Sequence, residues 1–512
     1  MRSDTRLGII GGGASTVCLL DALARSDERG GSVTVFDPSP HLWRGRPYQR
    51  DVEAVRVNIA PEGMTIRSGD KEHFTRWLDL RYPRVPGVDD HTDPLCGIRF
   101  IPRGRYGEYL EDSARAALAR LAENGWLVRV IREQAVSALP SDDGITIRTK
   151  ERNEFPVDQV VLCTGRGTPP DDYGLSGSPG HVADPYPLTR TLEQVGPDQD
   201  VAVLGSGLTG VDVVLALAER GHRGRVHLLS RSGILPMVRQ RAIEHELVHF
   251  RPDELREAAL RGETIPLRRL VTAMRDELTA AGEDPAVITA ELASLGVEDP
   301  TARLRRHLAA VDSPDRALRI LQQAVPAAGP DVWTVLAEDE KAELLRHHYR
   351  ALMSICCPMT SAAARTLVDL VDAGRLSVVA GLEGVVPRPG GGFAFTAGRT
   401  RTEVDVVVNA VNPAVRSTSA MARPLVDGLV AAGLARPHPR GGVHVDRATS
   451  RLTVDGVPDP RYHALGDLAG GTLFFTFGMP SLVDRARDIV DDLLLLDAAD
   501  GLTAAGTTLQ SA

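Results

Sequence analysis

The chain has 512 residues, with 59 Lys+Arg against 68 Asp+Glu and a net charge of −9. An ordinary balance of 43% hydrophobic and 25% charged residues excludes a disordered chain, a collagen and a disulfide-rich secreted scaffold, and the length predicts two to four cores. The acidic surface and an aromatic content of only 4% argue against a general nucleic-acid-binding face.

Leu7 to Ile10 reads as a short strand, followed by Gly11, Gly12 and Gly13 and then by helical spacing from Ala14 to Arg25. Ser32 to Phe36 is the next strand and ends at Asp37, 26 residues after Gly11. Strand, glycine loop, helix and strand with a terminal acid form a dinucleotide cradle. Gly11 permits the tight turn, Gly13 leaves room for the pyrophosphate beside Ser15 at the helix start, and Asp37 can accept both ribose hydroxyls. Where the fingerprint has a third glycine this chain has Thr16, which is expected either to loosen the strand–helix contact or to turn its hydroxyl onto the backbone.

The stretch 38–199 contains Arg103 and Arg105, a helix from about Tyr106 to Asn124, and strands ending in Val160-Val161-Leu162-Cys163-Thr164-Gly165. The prolines at 169, 170, 185 and 187 mark a crossover. The cradle pattern then recurs 194 residues after the first. A strand from Asp200 to Leu204 leads into Gly205-Ser206-Gly207-Leu208-Thr209-Gly210, a complete G-x-G-x-x-G, then a helix from Val211 and a strand from Arg225 to Leu229. The acid position holds Arg231, which cannot accept a ribose hydroxyl but pairs well with a 2′-phosphate, so the second coenzyme reads as NADPH rather than NADH.

Residues 236–352 are rich in Ala, Leu, Arg and Glu and predict several amphipathic helices inserted into the second domain. Adjacent His347 and His348 point about 100° apart on a helix, so with Arg346 and Arg350 they read as a solvated face, or as a site for an acidic group, rather than a metal pair. Cys18, Cys96, Cys163, Cys356 and Cys357 show neither CxxC nor metal-ligand spacing and read as packed thiols. A helix, further strands and Asp405 to Ala410 follow, then Gly466-Asp467, the Gly470-Gly471-Thr472 loop and a C-terminal helix that frays after about Asp500. Phe474, Phe475 and Phe477 read as core or as lining for a cofactor edge. No run of about 18 apolar residues occurs, so a cytoplasmic protein without a membrane partner is expected.

The order of these features resembles the two-dinucleotide-binding flavoproteins, more narrowly those related to flavin N-hydroxylating monooxygenases. Gly45-Arg46-Pro47-Tyr48, Arg56-Val57-Asn58-Ile59-Ala60 and Met64 resemble the segment that passes the isoalloxazine, and Pro102 to Leu110 resembles the start of a helix in the FAD domain. Cys163-Thr164-Gly165 is similar to the Ala-Thr-Gly link between domains, Asp405 to Ala410 before Asn412-Pro413 to the return crossing, and Gly466-Asp467 to the late pair near the ribityl chain.

The resemblance implies an α/β fold with two Rossmann-like domains. A discontinuous FAD domain would occupy 1–185 and 405–512, and an NADPH domain 186–404, with the helical insertion at about 236–352. It adds Asn58, Met64, Arg103, Gly165, Gly466 and Asp467 to the FAD contacts. It also implies FAD-dependent, NADPH-consuming monooxygenation of an amino acid or small amine through a C4a-(hydro)peroxyflavin, with O2 and a small-molecule substrate as partners. The flavin carries the reactive oxygen, so no protein nucleophile is assigned; Arg46, Gln49 and Asn58 are substrate-side candidates from position alone. The Baeyer–Villiger fingerprint is absent, since Gly174 to Tyr186 with His181 lacks its spacing. An NADPH-dependent flavin oxidoreductase or oxidase without oxygen insertion, and a non-catalytic FAD/NADPH-binding redox partner, share the same motifs. Oligomeric state is open.

Overall fold

Apolar runs flanked by glycine make the strands of two parallel sheets. The computed structural model describes residues 5–26, 30–85, 89–412, 418–476 and 478–509. In the first sheet Arg6–Ile10 lies between Ser32–Phe36 and Gln159–Leu162, with Leu127–Ile131 outside the former and Val457–Ala464 outside the latter. Arg451–Val454 closes that edge antiparallel. In the second, Val201–Leu204 lies between Val226–Leu229 and Val406–Asn409, flanked by Leu376–Val379 and His181–Val182. Gln159–Leu162, Val201–Leu204 and Val406–Asn409 are buried along their whole length, as strands covered on both faces must be.

The second sheet corrects two expected boundaries. Residues 405–410 do not return to the first domain, because Val406–Asn409 pairs in register with Val201–Leu204. The strand stands to the second glycine loop as Gln159–Leu162 stands to the first. A three-stranded antiparallel sheet precedes each of these strands: Ala135–Ser141, Gly144–Thr149 and Glu154–Val157 in one case, Leu382–Pro387, Phe393–Ala397 and Thr400–Val404 in the other. His181–Val182, expected in the first domain, likewise pairs in the second sheet.

The helical insertion is present. Helices Pro252–Leu260, Leu267–Ala280, Ala286–Ser294, Pro300–Ala309, Ala317–Val335, Glu338–His347 and Tyr349–Cys356 all lie between the paired strands Val226–Leu229 and Leu376–Val379. A buried charge cluster ties them down. Glu291 accepts from Arg303 Nη2 at 2.6 Å, Arg306 Nη1 at 2.9 Å and His307 Nε2 at 2.9 Å, while Arg303 Nη1 reaches the Leu235 carbonyl at 3.1 Å. Trp333 stacks on Phe474, and Phe475 packs at Gly329, so these phenylalanines are core; Phe477 and Pro413 lie outside the described residues. The C-terminal helix Met479–Leu509 continues past Asp500 and packs its apolar face on the core around helix Ala14–Arg25. Among the described residues no helix is long and apolar enough to cross a membrane, and none of the five cysteines is joined in a disulfide.

Burial alone would raise the Glu291 pKa, but His307, Arg303 and Arg306 hold it down at about 2, against an ordinary 4.5. The folded state therefore favours the carboxylate. That stabilisation is complete above pH 4.5 and is lost as the pH falls toward 2. Glu291→Gln, which leaves Arg303 short of its partner, should lower the melting temperature at pH 7 by a cost of about 3–5 kcal/mol and flatten the acid limb of a Tm-against-pH profile.

Candidate functional site

Both glycine loops use the same backbone device. Gly11 has φ +108° and Gly205 φ +105°. A Cβ on Gly11 would overlap the Cys163 carbonyl, and one on Gly205 would overlap the Ala410 carbonyl, so the strand that returns beside each loop closes over its first glycine. The helices that follow start at Gly13 and Gly207 with no side-chain cap and no acid in the first turn, which leaves their amide donors free for an anion. Space is left as well. A Cβ on Gly207 or Gly165 would meet no atom within 4 Å, and one on Gly13 would meet only Gly45, at 3.5 Å from its Cα.

The third position separates the loops. At Gly210 a Cβ would overlap the Gly205 carbonyl, so the second helix packs flush on its loop. Thr16 instead donates its hydroxyl to the Gly11 carbonyl at 2.5 Å, the second of the two outcomes expected from the sequence.

Around the first loop the structure gathers Gly11, Gly13, Ser15, Asp37, Gly165, Gly466 and Asp467. Asp37 accepts from Gly12 N at 2.6 Å on one oxygen and from Ser39 N at 2.7 Å on the other. Each oxygen keeps a lone pair for a ribose hydroxyl. Gly466, at φ +93°, lies against Ser15 Oγ. Arg166, which the sequence reading passed over, lies 3.6 Å from Asp467 and also donates to Asn412 just beyond the second return strand. The segments that follow the two return strands thus meet at one junction, spanned by Asn412, Arg166 and Asp467.

Other expected flavin contacts have structural duties. Met64 is buried in the first core, and its carbonyl accepts from Tyr106 Oη at 2.8 Å. Arg103 reaches across to the second domain: its Nη1 lies 2.6 Å from Asp212 Oδ2 and donates to Tyr186 Oη at 3.0 Å, while Tyr186 donates to Asp212. Burial would push Arg103 down, but the Asp212 charge and Tyr186 outweigh it and hold its pKa above the ordinary value. An acid within the apolar run Val211-Asp212-Val213-Val214 was the available signal. Arg46 pairs with Asp184 (Nε–Oδ2 3.0 Å) and lies over the Tyr186 ring. Asn58 Nδ2 donates to the Pro358 carbonyl at 3.0 Å, and its amide oxygen accepts from no described residue. The Gln49 side chain is half-buried and makes no hydrogen bond among the described residues.

In the second loop Ser206 is buried and spends its hydroxyl on the Ile234 carbonyl at 2.8 Å and on Ser230 at 3.0 Å, bracing the turn that carries Arg231. Arg231 is exposed, and Arg350 comes within electrostatic reach of it from helix Tyr349–Cys356. Burial first, and then Arg231, holds the Arg350 pKa below its ordinary value. Neither makes an ion pair among the described residues, although the Asp172 carboxylate comes within electrostatic reach of Arg350, so two guanidinium groups converge with no carboxylate bound directly to either. Arg346, His347 and His348 are exposed, a solvated face.

Residues 8–167 match the family model described as FAD-NAD(P)-binding, so this part is an FAD/NAD(P)-binding domain. The whole chain has the fold of flavin-dependent oxidoreductases. It is similar to the ornithine N-hydroxylase of Kutzneria sp. 744, solved with reduced FAD, NADP+ and L-ornithine, at 14% identity and a TM-score of 0.55, covering 96% of this chain and 100% of that one. It is equally similar to the FAD-bound cadaverine monooxygenase of the desferrioxamine pathway from Erwinia amylovora, at 12% identity and a TM-score of 0.55, covering 96% and 94%. No curated protein sequence matches the chain.

Asp212→Asn should cost about 3–5 kcal/mol, because it strands a buried Arg103. Thermal unfolding and limited proteolysis at the 165–187 crossover read the loss as a lower Tm and faster cutting. Arg231→Ala with Arg350→Met should weaken NADPH about ten- to a hundred-fold and leave NADH within twofold, measured as dissociation constants; equal losses for both coenzymes would remove the pair from the 2′-phosphate.

Proposed function

We propose that the chain is an FAD-dependent, NADPH-consuming monooxygenase that N-hydroxylates an amino acid or small amine. The observation that carries this reading is the shared junction: Arg166, just past the strand that closes the first glycine loop, donates to Asn412, just past the strand that closes the second, and a buried ion pair joins the two domains. FAD takes the first loop, its pyrophosphate on Gly11, Gly13 and Ser15 and its ribose on Asp37. NADPH takes the second, with Arg231 and Arg350 on the 2′-phosphate.

Bound flavin supplies hydride acceptance and oxygen activation. The balance is R–NH2 + O2 + NADPH + H+ → R–NHOH + H2O + NADP+. The chain's own part is positional. The Arg103–Asp212–Tyr186 contact keeps the two cradles at one separation, so that a nicotinamide coenzyme held on the second loop would help to shield the site from water. The Asn58 amide oxygen is available to receive an amine N–H and so orient the nitrogen, which must be neutral to react.

The likeness to an ornithine N-hydroxylase and a cadaverine monooxygenase over nearly the full chain supports this reading over a bare oxidase. The deciding measurement is coupling. Holoenzyme given NADPH, O2 and a panel of amino acids and diamines should consume NADPH faster with its true substrate, with little peroxide. Peroxide equal to NADPH consumed for every amine would instead establish the oxidase reading.

A further inference from the structure

Arg239, half-buried on the second domain's side of the seam, differs from three well-buried arginines. Arg44 meets Glu111, Arg103 meets Asp212 and Arg303 meets Glu291. Arg239 meets no carboxylate, and no described residue accepts a hydrogen bond from its guanidinium; its Nε is sealed from solvent without a partner. The thiols of Cys357 and Cys96 come within electrostatic reach of it. Burial lowers its pKa to about 10, so it is still charged at neutral pH. A guanidinium so placed is costly to fold around until an oxyanion arrives.

Its position is defined by the backbone. Val238 bridges Met359 in parallel, Arg239 N donates to the Met359 carbonyl at 2.8 Å, and Asn58 Nδ2 holds the carbonyl of the preceding residue, Pro358. Arg239 therefore sits where the first domain's 44–58 passage meets the second domain. Its neighbour Gln240 turns into the core, onto the Val238 and His307 carbonyls. The phosphates of a dinucleotide already have receptors, in the amides after Gly207 and in the Arg231–Arg350 pair. What lacks one is a substrate anion at the seam beside Asn58, and a guanidinium fork matches a carboxylate in bidentate geometry.

We propose that Arg239 is the carboxylate receptor of the substrate pocket, so that the amine taken is an amino acid rather than a diamine. This rests on the amine-hydroxylating reading, but its test needs no turnover. Oxidised holoenzyme with NADP+ is titrated with L-lysine, L-ornithine, cadaverine and putrescine, read by calorimetry and by perturbation of the flavin spectrum. At least one amino acid should bind tenfold or more tighter than its decarboxylated counterpart. Arg239→Met should weaken that amino acid ten- to a hundred-fold while both diamines and NADPH stay within twofold. Arg239→Lys, which keeps the charge without the fork, should lose an intermediate amount and serves alone if the Met variant does not fold. Diamines binding as tightly as amino acids, no binding by any of the four, or a tenfold loss of NADPH in Arg239→Met would each overturn the proposal. Good amino-acid binding with fully uncoupled peroxide would leave it standing and remove the oxygen-insertion reading.

Discussion

The buried contact of Arg103 with Asp212 and Tyr186 is the constraint on which the rest depends. It joins the first turn of the long helix Arg103–Glu123 to the helix that follows the second glycine loop. Rotating one domain against the other would strand two charges away from water. Lesser ties run along the same seam: Asp51 accepts from the amides of Leu188 and Thr189, Glu219 accepts from Ala54 N, and Arg46 pairs with Asp184. Domain separation is therefore set by one buried ion pair, by partly exposed ties beside it and by the apolar packing of Val55, Cys96 and Phe100 against the second core, rather than by the length of the crossover.

The same seam explains the glycines of Pro102-Arg103-Gly104-Arg105-Tyr106-Gly107. A Cβ on Gly107 would overlap the Tyr48 carbonyl and one on Gly104 would touch Arg50, because residues 44–51 lie directly across this helix. Arg44, almost wholly buried, holds the passage down through Glu111 at 2.6 Å and the Gly104 carbonyl at 2.9 Å. The motif resembles the start of a helix in the FAD domain, and its glycines seat the strip of chain on which Arg46, Gln49 and Asn58 are carried.

Much of this was legible from local pattern. The glycine loops, the strand-end Asp37 and Arg231 and the helical insertion depend on spacing within some 30 residues, and sequence carries such spacing directly. What was not legible depends on partners far apart in the chain. Nothing near Arg103 marks Asp212 as its partner, and nothing near Arg166 marks Asn412. The return strand at 405–410 was placed in the wrong domain because an apolar β-run fits either sheet. Only pairing with Val201–Leu204 decides it, and that requires knowing that each glycine loop needs a carbonyl closing over its first residue.

That strand has a consequence for how the polypeptide acquires its shape during synthesis. Every strand of the second sheet lies between His181 and Asn409, whereas the first sheet waits for Val457–Ala464 to cover the open side of Gln159–Leu162. The inner unit is thus finished while the outer one still has a bare edge, and an emerging chain matures from its middle outward. Until the last strand is made, that edge of the older half is open to pairing with another chain.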